Sequence, residues 1–89
     1  MFAANDQMAL GALRALAEAG RDVPREISVV GFDDVELARF TEPPLTTVRW
    51  PIRTMARSAA MKLIHPEAAA DEKSLFLTEF VPRASVAKV

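Results

Sequence analysis

Cysteine is absent from these 89 residues and histidine occurs only once, at His65. The first absence excludes disulfide scaffolds and thiolate-built zinc or iron–sulfur centres. The second excludes a His-rich metal site. No apolar run approaches the roughly 20 residues that a membrane span needs. The opening stretch, residues 1–10, has no positive segment ahead of a clean apolar one, so it does not read as a secretory signal. A basic excess is also missing. Eleven Lys and Arg stand against twelve Asp and Glu, a net charge of −1, which gives no support to a nucleic-acid-binding surface. What remains is ordinary for a soluble globular chain: 51% hydrophobic and 26% charged, a balance that argues against disorder. The length allows one small domain at most. A cytoplasmic location is the default expectation.

The chain begins with a short apolar run, residues 1–4, read as the end of a strand. Asn5 or Asp6 caps the helix that follows, because a short side-chain oxygen accepts from the free amides of a first turn. The helix is expected over 6–19, ended by Gly20 in the left-handed conformation that glycine adopts without penalty. Leu10, Leu13 and Leu16, with alanines between them, make it apolar over most of its circumference, so it should be covered on more than one side. Gly11 inside it is either tolerated or marks a close approach of another element. Residues 27–32 form the best strand, apolar enough to be buried on both faces of a parallel sheet. It stops at Asp33 and Asp34, and a short helix-like stretch follows over 35–40. Glu42-Pro43-Pro44 is a rigid turn, and 46–50 reads as a third strand. Pro51 suits a first helical position. An amphipathic surface helix is expected over 51–64, with Arg53, Arg57 and Lys62 as a solvated basic face. A linker over 67–73, a last strand over 74–80 and a frayed tail over 83–89 complete the reading. Met8, Met55 and Met61 are taken as packing material.

Strand, helix and strand within the first 32 residues make a βαβ unit, which sets the two strands parallel. Asn5 and Asp33 then leave their strands at the same sheet edge, where open α/β sheets bind ligands. An amide that donates and accepts, beside a carboxylate that accepts twice, suits vicinal hydroxyls such as those of a sugar. Each residue also has a plainer reading. Asn5 and Asp6 can be caps alone, Asp33 and Asp34 can cap and charge the short helix, and Trp50 can be core. Paired carboxylates can also do acid/base work or bind Mg²⁺, but no nucleophile or third acidic group lies near in sequence. The GFDD stretch lacks the glycine spacing of a nucleotide fingerprint. No catalytic residue, metal ligand or cofactor is therefore expected.

Three blocks, AANDQMALGALRAL at 3–16, ISVVGFDD at 27–34 and PPLTTVRWPI at 43–52, resemble the lactose repressor/galactose repressor family of bacterial transcription regulators. The likeness is to the C-terminal third of their effector-binding domain. It runs from about Phe2 to Leu63 and more weakly through 77–87. The resemblance implies a partial periplasmic-binding-protein-like α/β fold, a parallel sheet with flanking helices, with fragments of two lobes. Residues 1–48 would belong to the C-terminal lobe, 49–73 to the crossover and helix of the N-terminal lobe, and 74–89 to a return strand and tail. It further implies a non-enzymatic, sugar-sensing region of a repressor. Asn5 and Asp33 match family positions that contact effector, and Trp50 falls at the crossover, where a polar residue is common. Leu10 and Phe40 match the surface through which family members dimerise. The implied partners are a small-molecule effector, a sugar, and a second copy of the chain. Operator DNA would be reached only through a helix-turn-helix that this chain does not contain, and no membrane is involved. Met1 stands where the family has an interior strand residue, which suggests an internal start or a truncated gene. A transport-type sugar-binding protein fragment, a small enzyme using Asp33 and Asp34, and a non-functional gene remnant are the alternatives.

Overall fold

The computed structural model describes residues 1–69 and 76–88. The first helix, α1, spans Asp6–Glu18. Its cap is Asn5, whose side-chain oxygen accepts the Met8 N–H at 2.8 Å. Ala19 closes the helix, and Gly20 turns the chain away at a φ of 72°. One face of α1 buries Ala9 and Leu13, with Leu10 and Leu16 packed beside them. Met8 is exposed on the other face and does not pack in the core. Gly11 meets nothing within contact distance, so of its two readings tolerance holds and close approach does not.

The core gathers Ala3, Ala9, Leu13, Val29, Ala38 and Leu45. Full burial of Val29 and Leu45 stabilises the fold by about 1.5–3 kcal/mol each. The stretch over 35–40 contains a short 3₁₀ helix at Glu36–Arg39. The third strand of the sequence reading is β1, Thr47–Arg49. It pairs antiparallel with β2, Glu79–Val81, with Val48 opposite Phe80 and Arg49 opposite Glu79.

The continuous parallel sheet expected from the sequence is not formed among the described residues, whose one sheet is this antiparallel pair. Parallel pairing survives as isolated bridges: Phe2 with Val30, Val30 with Thr46, and Asp33 with Arg49. The bridges do not join into a continuous strand in the middle segment, although the Ala3 N–H donates to the Val30 carbonyl, the Gly31 N–H to the Thr46 carbonyl and the Asp33 N–H to the Val48 carbonyl, the last of these at the positive-φ corner. At Val29 the N–H is taken by the Ser85 carbonyl. The segment is also less buried than a strand covered on both faces: Val29 and Gly31 are buried, whereas Ile27, Ser28, Val30 and Phe32 are half-buried.

A second correction concerns the tail, which is anchored from Arg83 to Ala87. Ser85 is fully buried; its hydroxyl donates to the Val29 carbonyl at 2.6 Å and accepts the Thr46 N–H at 2.8 Å. Ala87 N–H donates to the Ser28 hydroxyl. Three separate segments are thus tied together by a single serine.

Helix α2 spans Ile52–Ile64 and buries no residue. The short helix α3, Pro66–Ala69, follows it. The radius of gyration is 17.1 Å, against about 12 Å for a compact chain of this length. Met61 on α2 is exposed, so it too does not pack as expected. The linker at 70–73 and the opening of the last strand at 74–75 lie outside the described residues.

Candidate functional site

The candidate site grows from the corner where the 27–32 segment ends. Asp33 has a φ of 123° and Asp34 a φ of 57°. Two consecutive non-glycine residues with positive φ are uncommon and cost on the order of 1–3 kcal/mol each. The surroundings over-determine this corner. The Asp33 N–H donates to the Val48 carbonyl at 2.9 Å, and the Val35 N–H donates to Asp6 Oδ2 at 2.8 Å. Backbone is therefore pinned on both sides of the strained pair.

Asp34 is held from its side chain as well. Its Oδ2 accepts from Arg49 Nε and its Oδ1 from Arg83 Nη2, both at 2.7 Å, and its side chain is 4% exposed. Burial alone would raise the Asp34 pKa. The hydrogen bonds and charges of Arg49 and Arg83 outweigh it and hold the carboxyl below the usual aspartate range. The same contact pushes the Arg49 pKa up. Arg49 also lies 3.5 Å from Glu79, its cross-strand partner on β2. Asp34 therefore does not cap the short helix, as the sequence suggested. The cap position of that helix is Val35, which offers no side-chain acceptor, and both Asp34 oxygens are committed to arginines.

Asp33 points elsewhere. Its Oδ1 accepts from the Trp50 indole Nε1 at 3.1 Å, and both residues are half-exposed. Two sequence-selected residues, 17 apart in the chain, are thus in direct contact. Beyond its polar edge, Trp50 lines an apolar cavity of about 230 Å³ together with Phe32, Pro51, Met55, Phe76 and Thr78. Asn5 reaches the same end of the fold by a backbone route. The N–H of its neighbour Asp6 donates to the Phe32 carbonyl at 2.9 Å, which sets the Asn5 turn beside the Asp33 turn. The Asn5 oxygen is spent on capping α1, and its amide nitrogen meets no hydrogen-bond partner among the described residues. The corner thus presents a half-exposed carboxylate, an amide donor and an apolar wall.

Leu10 and Phe40 stand apart from this corner. Leu10 is half-buried against the core and shares a cleft of about 320 Å³ with Leu13, Arg14, Ala17, Leu37, Thr41 and Glu42. Phe40 is 73% exposed and Leu37 57%.

The sequence reading missed the residues that build the corner. Asp6 was read as a possible cap, yet it is fully buried and also accepts the Thr47 hydroxyl at 2.7 Å. Gly31 gives no such signal in the sequence, and a Cβ there would collide with Asp6 Oδ1. Arg83 was assigned to a loose tail. The available signal was a lone arginine beside Pro82, followed by small residues that can enter a core, which is too weak to place it. Among the described residues no cluster of His, Cys, Asp or Glu could hold a metal. No helix among them is long and apolar enough to cross a membrane.

Comparison with known proteins covers nearly the whole chain. A sequence family described as the periplasmic binding protein-like domain matches residues 1–86. The HTH-type transcriptional regulator MalR of Streptomyces coelicolor is 47% identical over 87 residues, which is 94% of this chain and 25% of that protein. The HTH-type transcriptional regulator GalR of Escherichia coli is 59% identical over 56 residues, 63% of this chain and 16% of GalR. Among solved structures, the lac repressor dimer bound to operator and the anti-inducer ONPF superposes with a TM-score of 0.89 at 38% identity, covering 99% of this chain and 32% of that one. A LacI family regulator from Enterococcus faecium with bound ribose gives 0.86 at 30% identity, covering 99% and 34%. The chain spans about a quarter or less of these two curated relatives and about a third of these two structures.

Proposed function

The chain belongs to the lactose repressor/galactose repressor family of transcriptional regulators, within the periplasmic binding protein-like domain, and on that premise we propose that it is part of the sugar-sensing, dimerising region of a bacterial transcriptional repressor. It acts by binding and not by catalysis, in the cytoplasm. Residues 1–48 form part of the C-terminal lobe. Residues 49–73 carry the crossover and the helix of the N-terminal lobe, and 74–89 return. The elongated shape and the absence of a buried residue on α2 support that division, since a helix that serves a second lobe would find its partners there.

The observation that carries the reading is the Asp33–Trp50 contact beside the Asn5 turn. A carboxylate that keeps one oxygen free of protein donors accepts a hydroxyl. An amide nitrogen with no partner donates to one. The Trp50 wall with Phe32 and Met55 covers an apolar sugar face. Sugar binding at this corner shifts the regulator's affinity for operator DNA, which other parts of such a regulator read. Leu10 and Phe40, with exposed Leu37 beside Leu10 in the same cleft, supply the surface for a second copy.

Because Trp50 is the single tryptophan, its emission reports this corner alone. Titration with ribose, glucose, galactose and cellobiose should change that emission for at least one sugar and saturate. A flat response to all four would count against the reading.

A further inference from the structure

We propose that Arg83, acting through Asp34, is a positioning residue for the Asp33 carboxylate, so that the C-terminal segment sets the geometry of the sugar corner. The inference rests on the reading of Asp33 as a ligand-contacting group.

Asp33 and Asp34 occupy a corner that their own backbone preferences oppose, since both have positive φ. A corner of this kind persists only while its surroundings hold it. The arginine grip on Asp34 is the strongest side-chain restraint there. Both carboxylate oxygens are used, at 2.7 Å each, on a side chain that is almost wholly buried. Charge-assisted hydrogen bonds of this kind are about twice as strong as neutral ones. Of the two arginines, Arg83 is the more enclosed, and its Nη1 also donates to the Leu45 carbonyl at 2.8 Å. Its N–H donates to the Thr46 hydroxyl as well. Arg83 is therefore fixed at two points before it reaches Asp34. The direction of the Asp34 side chain, so fixed, sets the peptide plane between Asp33 and Asp34. That plane sets where the Asp33 carboxylate points, and the Trp50 indole reads the result through its hydrogen bond.

A merely structural role for Arg83 would lower stability without altering the Asp33–Trp50 bond. The Trp50 Nε1–H resonance in a ¹H–¹⁵N spectrum of the ¹⁵N-labelled full chain separates the two. Asp33→Asn supplies the reference position for a lost carboxylate partner. In Arg83→Gln the resonance should move toward that reference, and Arg83→Lys, which keeps the charge without the forked geometry, should lie between Arg83→Gln and wild type. Ser85→Ala removes a buried anchor of the same tail and should lower the melting temperature while leaving the resonance in place. An Arg83→Gln chain that stays folded with Trp50 at its wild-type position overturns the proposal. So does a Ser85→Ala shift as large as that of Arg83→Gln, which would mean general loosening. If Arg83→Gln does not fold, Asp34→Asn, close in size and shape to the native residue, decides by the same criterion. None of these readouts needs a sugar, so failure of the sugar-binding reading would show separately as an absence of any response to added sugars.

Discussion

Asp6 Oδ1 occupies the space that a Cβ on Gly31 would need. The carboxylate belongs to the first turn of α1, yet it ties two other segments to the helix by accepting the Val35 N–H and the Thr47 hydroxyl. Any side chain at position 31 must displace an acceptor that two donors depend on. Gly31→Ala should therefore destabilise the fold by roughly 2 kcal/mol or more, although alanine is ordinarily the better residue for backbone entropy. Gly11→Ala is the matched control. It faces open space inside α1 and should stabilise by about 0.5–1 kcal/mol. Chemical denaturation of both variants checks the pair.

Removing the carboxylate itself should cost more than adding the methyl group. Asp6→Ala strands two donors in or near the core, and the expected loss is about 2–4 kcal/mol. Asp6→Asn retains an acceptor for one of them and should fall between. Equal melting temperatures for wild type and Asp6→Ala would refute the assignment of Asp6 as a central tie.

Acid stability should carry the signature of Asp34. Its pKa is lower in the folded chain than in the unfolded one, because Arg49 and Arg83 together outweigh the effect of burial. The stabilisation is fully present above the unfolded value of about 3.9 and is lost as pH falls through the lower folded value. Asp34→Asn should be less stable than wild type at neutral pH, and the gap between them should narrow on acidification below about pH 4. Melting temperatures of the two chains measured across that range test it, and a gap that stays constant would contradict it.

Self-association is best probed at Phe40. Its ring is largely exposed and it ends the 3₁₀ helix without entering the core. Phe40→Glu should weaken association in sedimentation by tenfold or more, about 1.4 kcal/mol, and leave the melt of the monomer unchanged. Leu10→Asp should also break association but, because Leu10 packs on the core, it should lower stability too. Unchanged sedimentation of Phe40→Glu at the same concentrations would remove that residue from the interface.

Much of this architecture was legible in the residues. Asn5 at the start and Gly20 past the end delimit α1 because capping chemistry is local. The 46–50 strand and the helix after Pro51 follow from local pattern for the same reason. The tail was not legible. Arg83 and Ser85 are fixed by partners at Asp34, Leu45, Thr46 and Val29, all more than 35 residues away, and no periodicity carries such information. Asp33 and Asp34 illustrate the same limit at close range. Two adjacent aspartates suggested one cap and one ligand group, and their chemistry alone could not show that two arginines would claim the second. The continuous sheet is not legible for the same reason: an apolar run predicts burial and gives no account of a distant partner such as Ser85, whose carbonyl takes the Val29 N–H.

The most direct test of the sugar corner is a titration followed in ¹H–¹⁵N spectra, with ribose, glucose, galactose and cellobiose added at millimolar concentrations to wild type and to Asp33→Asn. In wild type, the Trp50 Nε1–H and the Asn5 side-chain amide should shift together along one saturation curve for at least one sugar. In Asp33→Asn the affinity for that sugar should fall roughly 10- to 150-fold, from the loss of one charge-assisted hydrogen bond of about 1.5–3 kcal/mol. A sugar that binds Asp33→Asn as tightly as wild type, or that binds without moving either resonance, would contradict the account.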